Sequence, residues 1–201
     1  MKRFDFFLAM ICLVLGTALL VMTPTEAEAA IYEDTVRLHI RADGDGAEAQ
    51  EIKLEIRDRL LAKYSALLGG SLSKKEAEGE LLDRLSEIEA DIEGWLSELG
   101  AGYGATVRLG TEWFDTREYE GFTLPKGYYT SLIVELGSGE GKNWWCVMYP
   151  PLCMELATEN APVDDGVIDY SKEEIKLIKG GKYNVKFKIL EGLSKAFAKN
   201  G

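Results

Sequence analysis

Two long stretches with the periodicity of amphipathic helices follow one another in the first half of the chain, and they limit what it can fold into. The first ends at Gly69-Gly70, and the second begins at Ser73, with Glu76 placed to complete a capping box, and ends at Gly100. Apolar residues recur every three or four positions in both, at Ile52, Ile56, Leu60, Tyr64 and Leu67 and at Leu81, Leu85, Ile88, Ile92, Trp95 and Leu99. Each apolar stripe needs a partner surface, which the rest of the chain must supply.

Segments that alternate apolar and polar residues predict this surface. One is 35–41, and the others are 106–116, 128–136 and 143–149. The polar positions of the first segment are Arg37, His39 and Arg41. The later segments are joined by short glycine-rich connectors, which favour antiparallel hairpins. The sequence therefore predicts an α+β fold, a mostly antiparallel sheet with two amphipathic helices packed on one face.

The N-terminus has the pattern of an export signal. Lys2 and Arg3 form a basic start, residues 6–22 are mostly apolar, and Ala27-Glu28-Ala29 provides the small residues that a signal peptidase inspects. Cleavage after Ala29 is expected to leave about 172 residues. The alternative is an uncleaved anchor, because the apolar stretch is close to the ~20 residues that span a bilayer.

This interpretation divides the chain into a signal peptide, residues 1–29, and a single extracytoplasmic domain, residues 30–201. The domain is long enough to bury one hydrophobic core. The chain has a net charge of −11, and residues 1–29 carry two basic and three acidic side chains, so the domain keeps a charge of −10. Nucleic acid and anionic lipid would repel such a domain. Membrane contact is therefore expected only through the signal segment.

No metal or cofactor site is predicted. Asp43 and Asp45 lie in a glycine-bearing loop, but the side chains that follow do not fit a calcium-binding loop. A tetrahedral zinc site would need carboxylates that no spacing identifies. A serine–lysine pattern at Ser71 and Lys74 is better explained by Ser73 as a helix cap.

The segment GKNWWCVMYPPLC, residues 141–153, contains both cysteines of the predicted domain. An exported domain with an even cysteine count favours a Cys146–Cys153 disulfide, closed by a turn at Pro150-Pro151, although buried free thiols remain an alternative. A thiol–imidazole dyad of Cys146 with His39 is disfavoured, since Cys146 follows two tryptophans in an apolar strand.

Three segments together resemble the stage II sporulation protein R family of endospore-forming bacteria. They are VRLHIRAD from Val36, KLEIRDRL from Lys53, and GxGxGKNWWCVMYPPLC from Gly137. The last segment is the most specific, and the resemblance extends from about Val36 to Cys153. It implies a signalling protein without catalytic residues, cofactor or small-molecule substrate.

Members of this family are made in the forespore and exported into the space between forespore and mother cell. There they activate a membrane-embedded aspartic-type protease that processes pro-sigma-E, so the resemblance implies this sigma-E-processing protease as the partner. The alternatives are an exported thiol hydrolase using Cys146 and an envelope scaffold protein.

Candidate partner-binding residues are expected in the same segment, because aromatic side chains anchor interfaces and a rigid corner loses little entropy on docking. These candidates are Trp144, Trp145, Tyr149, Pro150 and Pro151. Strand alternation predicts that one tryptophan of the adjacent pair faces the core and the other is available for contact.

Overall fold

The computed structural model describes residues 2–22, 25–68, 73–119, 122–150 and 170–180. The helices described are α1 (Lys2–Met22), α2 (Glu26–Glu33), α3 (Ala47–Leu68), α4 (Lys74–Asp83), α5 (Leu85–Glu98) and α6 (Lys172–Gly180). The strands described are β1 (Val36–Arg41), β2 (Ala105–Phe114), β3 (Arg117–Tyr119), β4 (Phe122–Leu124), β5 (Gly127–Leu136) and β6 (Asn143–Tyr149). Residues 151–169 and 181–201, which include Pro151 and Cys153, lie outside the described part.

The main sheet has four strands in the order β2-β5-β1-β6, and β3 pairs with β4 in a small second sheet. β2 is antiparallel to β5, β1 is antiparallel to β6, and β1 is parallel to β5. The α+β class is confirmed, and two of the three pairings in the main sheet are antiparallel, so the sheet is mixed.

The hairpin expected between the second and third of the later strands is wrong, because β1 lies between β5 and β6. The reason is that β1 is buried on both faces, and a strand of this kind is most stable in the middle of a sheet. The glycine-rich loop 137–142 consequently crosses the end of β1. Its Gly141 N–H donates a 2.8 Å hydrogen bond to the carbonyl of Ala42, directly after β1.

Helices α3, α4 and α5 pack on one face of the sheet and form the helix-side core. Ile52, Ile56, Leu60 and Tyr64 of the predicted α3 stripe are buried, whereas the side chain of Leu67 lies outside the described part. The Ser73–Glu76 capping box of α4 is formed. The second predicted helix is divided in two at Arg84. The fully buried members of the helix-side core include Leu38 and Ile40 of β1, Ile56 and Leu60 of α3, Leu81 of α4, Ile88 and Ile92 of α5, and Leu132 and Val134 of β5.

A second apolar cluster, the aromatic core, covers the other face of the sheet. Its buried members are Ile31, Phe114, Phe122, Leu124, Tyr129, Val147, Tyr170 and Ile178. They come from α2, from four strands, from α6 and from Tyr170 just before it, so short segments that are distant in sequence close this face. The predicted polar face of β1 is therefore covered, and His39 is only 2% exposed.

The N-terminal helix α1 leads into α2, which begins at the N-cap Thr25 with a capping box to Glu28. α2 runs across the predicted cleavage position after Ala29. It is held to β5 by Tyr32, whose hydroxyl donates a 2.9 Å hydrogen bond to the carbonyl of Lys126 and whose ring packs on Tyr129. Among the described residues, no helix is both long and apolar enough to span a membrane.

Candidate functional site

A network of polar side chains lies on the aromatic-core face of the sheet, where β1 and β6 pair. The register places His39 beside Trp145 and Arg41 beside Asn143, so side chains from both strands meet on this face. This polar network comprises Arg37, His39, Arg41, Glu112, Glu135, Asn143 and Trp145. It joins two of the segments that carry the family resemblance, although more than ninety residues separate them in the chain.

His39 is held on three sides. Its Nδ1 lies 2.7 Å from Oε2 of Glu112, and its Nε2 lies 2.9 Å from Oδ1 of Asn143. Its ring stacks on Trp145, with centroids 3.6 Å apart and planes 17° from parallel. Since both ring nitrogens are engaged, this imidazole orients its neighbours and has no free nitrogen to offer a substrate as a general base.

Arg41 extends the network across the sheet. Its Nη2 donates a 2.7 Å hydrogen bond to Glu112, and its Nη1 donates a 2.8 Å hydrogen bond to Glu135. Arg108 lies 3.6 Å from Glu112 and 3.7 Å from Glu135. Glu112 thus accepts from both His39 and Arg41, and charge-assisted bonds of this kind are stronger than those between neutral groups.

Arg37 is fully buried in a cage of aromatic rings. Its Nε donates a 3.0 Å hydrogen bond to the carbonyl of Cys146, and its Nη2 donates a 2.6 Å hydrogen bond to the hydroxyl of Tyr119. The guanidinium lies 4.3 Å from the ring centroid of Phe114 and 5.0 Å from that of Tyr129. Burial lowers the pKa of Arg37. The described residues form no ion pair with it, and its Nη1 has no hydrogen-bond partner.

Cys146 lies on the opposite face of the sheet from His39. It pairs with Leu38 in the β1–β6 register and belongs to the helix-side core. A thiol and an imidazole on opposite faces of one sheet cannot share a proton, so the Cys146–His39 dyad is not formed. Cys12 is free and exposed. The predicted disulfide partner of Cys146, Cys153, lies outside the described residues.

The two adjacent tryptophans point to opposite faces and are both half-buried. Trp144 packs on the helix-side core with the guanidinium of Arg57 4.4 Å from its ring centroid. Trp145 packs on the aromatic core beside the exposed Arg117, whose guanidinium lies 5.4 Å from its ring centroid. The expected division into one core and one exposed tryptophan is therefore not observed. Tyr149 is buried, as is Pro150, which follows it through a cis peptide bond.

The acidic loop after β1, which contains Asp43 and Asp45, binds the glycine-rich loop before β6. The Asp43 carboxylate accepts a 2.8 Å hydrogen bond from the backbone N–H of Ser138, and Asp45 accepts one of 2.8 Å from that of Lys142. Gly137 has a φ of +57°, and Asp43 occupies the space that a Cβ there would need. The two loops are interlocked by these contacts. The described residues contain no group of three or more potential metal ligands.

Sequence reasoning missed the most exposed aromatic pair of the described domain. Trp113 of β2 and Tyr128 of β5 are 48% and 65% exposed and meet edge to face, with ring centroids 5.1 Å apart. The alternation of both segments indicates that they share a sheet face. Their exposure follows from where the helices end, which local periodicity does not reveal.

This small α+β domain, with its polar network on one face of the sheet, belongs to the sporulation proteins. The sequence model of the family described as Stage II sporulation protein R (spore_II_R) matches residues 32–159. The chain belongs to this family. It is also similar to the Stage II sporulation protein R of Bacillus subtilis (strain 168), with 32% identity over 123 residues. That alignment covers 61% of this chain and 55% of the relative, so the chain matches about half of the relative's length. No solved structure matches the chain.

Proposed function

We propose that this chain is an exported sporulation signal that activates the membrane-embedded aspartic-type protease responsible for processing pro-sigma-E in the mother cell. The observation that carries the proposal is the family match over residues 32–159. The polar network is consistent with it, because both nitrogens of His39 are engaged within the fold. We expect the domain to act by binding to the protease through its surface. Binding can activate the protease only if the domain has a higher affinity for the active state than for the inactive state.

Export rests on the N-terminal segment. Lys2 and Arg3 precede the apolar helix α1, and the large apolar side chains described in α1 are exposed to solvent. An apolar helix without a protein partner is suited to the export machinery and to lipid. We place the domain in the space between forespore and mother cell on this basis.

The receptor contact is proposed on the outer side of β6. Of the five candidate residues, Trp145 combines a half-buried ring with the exposed neighbours Asn143 and Arg117. Trp and Arg are enriched among the residues that dominate binding energy. The buried Tyr149 and Pro150 support this surface from within, and Trp144 and Pro151 remain candidates.

A Cys146–Cys153 disulfide is proposed to fix the end of β6. It is supported by the even cysteine count of residues 30–201 and by the short separation of Cys146 and Cys153 in the chain. Closing so short a loop is worth roughly 2 to 2.5 kcal/mol, so Cys153→Ser should lower the free energy of unfolding by about that amount. Cys12→Ser is the matched control and should change nothing. Equal stability of both variants under non-reducing conditions would contradict the bridge.

The proposal is tested by expressing the chain in sporulating cells that lack their own activator, together with its cognate receptor protease. Conversion of the sigma-factor precursor, followed by immunoblot, is the expected result. A variant without residues 2–29 should not support conversion. Failure of the full chain to convert the precursor, with the protein exported and folded, would overturn the proposal.

The contact surface is tested in the same cells with Trp145→Ala and Trp145→Phe. We expect alanine to abolish or strongly reduce conversion and phenylalanine to retain part of it, because a ring would still fill the contact. Trp95→Phe, on the helix-side core, is the matched control. Full conversion by a folded Trp145→Ala protein would remove Trp145 from the interface.

A further inference from the structure

Trp113 and Tyr128 form an exposed aromatic pair on the main sheet. The two residues lie directly opposite each other in the β2–β5 register, so their rings form one continuous apolar surface. Outside α1, the other exposed large apolar side chains among the described residues are Leu54 and Leu82 on the helices. Exposed apolar patches on folded domains are found at protein interfaces, ligand grooves and membrane contacts.

The pair lies where the sheet extends beyond its helical cover. Along the same face, Val107 on β2 and Leu132 on β5 are buried under the helices. Toward the other end, Thr111 and then Trp113 are exposed. The aromatic surface therefore belongs to one end of the domain.

This is also the end where the N-terminal segment joins the domain. Tyr32 of α2 hydrogen-bonds the carbonyl of Lys126, and its ring fills the space that a Cβ on Gly127 would need. Gly127 directly precedes Tyr128. α2 begins four residues after α1, in which nine large apolar side chains are 46–72% exposed. The chain thus brings an apolar helix to the same end as the aromatic pair.

Trp and Tyr side chains are favoured at the interface between the lipid hydrocarbon and water. Each has an apolar ring and a polar tip, the indole N–H or the phenolic O–H, and both are enriched at the boundary between hydrocarbon and water. As long as α1 is attached and enters lipid, the nearest end of the domain lies at that boundary. The chain's net charge of −11 opposes attraction to anionic headgroups, so the contact must be apolar rather than electrostatic.

We propose that Trp113 and Tyr128 insert into the interface of the lipid bilayer and hold this end of the domain against the membrane. The inference uses the export segment of the proposed function but is independent of the protease partner. It extends the membrane contact of the chain beyond its N-terminal segment.

The test uses the full chain and phosphatidylcholine vesicles with brominated acyl chains, which quench tryptophan fluorescence on contact. The chain has four tryptophans. We expect wild-type emission to be quenched on vesicle binding, and Trp113→Phe to lose most of that quenching while still binding through α1. Trp95→Phe is the matched control and should keep the quenching.

The salt and charge dependence gives a second readout. Quenching of Trp113 should persist at high salt and should not increase when anionic lipid is added.

Quenching that is the same in wild type and Trp113→Phe on vesicle-bound protein would overturn the inference. A Trp113→Ser/Tyr128→Ser variant that loses precursor conversion, with no lipid quenching of Trp113 in wild type, would assign the pair to a protein receptor instead. The vesicle result stands whether or not the chain converts the precursor, so the two proposals can fail separately.

Discussion

The two faces of the central sheet are built in different ways. On the helix side, aliphatic residues of β1 and β5 pack against α3, α4 and α5, three helices that are consecutive in the chain. On the other side, Arg37 and His39 are enclosed by aromatic rings from β2, β3, β5 and β6. The first face depends on burial, which is non-directional, whereas the second depends on hydrogen bonds and ring contacts of fixed geometry.

The largest effect is expected on the helix side. Leu38→Ala removes a fully buried side chain from the centre of the sheet, and the lost burial and the remaining cavity should lower the free energy of unfolding by about 2–5 kcal/mol. Denaturant unfolding measures this change. Leu82→Ala, on exposed α4 surface, is the control and should change stability by less than about 0.5 kcal/mol. Similar effects of the two variants would show that this face is not the main core.

A smaller loss is expected when the polar network is broken. Glu112→Ala leaves Nδ1 of His39 and Nη2 of Arg41 without their acceptor and should cost about 1–3 kcal/mol. Arg41→Met should cost less on its own, and the double variant should cost less than the sum of the two. Additive effects in this cycle would mean that the network does not act as a unit.

Tyr32→Phe tests the contact that joins α2 to the second face. The loss of its hydrogen bond to Lys126 should cost about 0.5–1.5 kcal/mol at neutral pH. Burial, assisted by Glu28, raises the pKa of Tyr32 to about 12. A raised pKa favours the neutral phenol in the folded state, so its stabilisation is present below pH ~10 and is lost between pH ~10 and pH 12. The variant should show a weaker loss of stability across this range.

The smallest change is expected from Arg37→Met. The substitution removes the hydrogen bonds from Arg37 to the carbonyl of Cys146 and to the hydroxyl of Tyr119, but it also removes a buried charge that has no ion pair among the described residues. These effects oppose each other, and we expect a net change within about 1 kcal/mol. A loss above about 3 kcal/mol would mean that the contacts with Phe114 and Tyr129 outweigh the cost of burying the charge.

The helix side could be predicted from sequence because its information is local. The spacing of Ile52, Ile56 and Leu60 defines a helix face, and the Ser73–Glu76 pair defines a helix start. The α+β class follows from these helices together with the alternating strands. The break at Arg84 has no comparable signal, since the apolar spacing continues through it.

The second face could not be predicted, because its contacts join distant segments. Nothing near His39 indicates that Phe114 and Trp145 cover it, so a polar position in an alternating strand suggested solvent exposure. The position of β1 between β5 and β6 also depends on pairings across about one hundred residues. For the candidate site, alternation placed Trp144 and Trp145 on opposite faces, but the half-burial of both depends on what packs above each face.

The helix α2 has a consequence for the order of events during maturation. The predicted cut after Ala29 falls within its eight residues, Glu28 is only 4% exposed, and Ile31 is fully buried. Proteases cleave exposed and locally unfolded segments, so on the proposed export route the cut would have to be made before α2 packs against β5. Release from the membrane and folding would then compete for the same short segment. A chain that folds first would keep its apolar leader, and a chain that is cut first would begin at residue 30, directly before Ile31 and Tyr32.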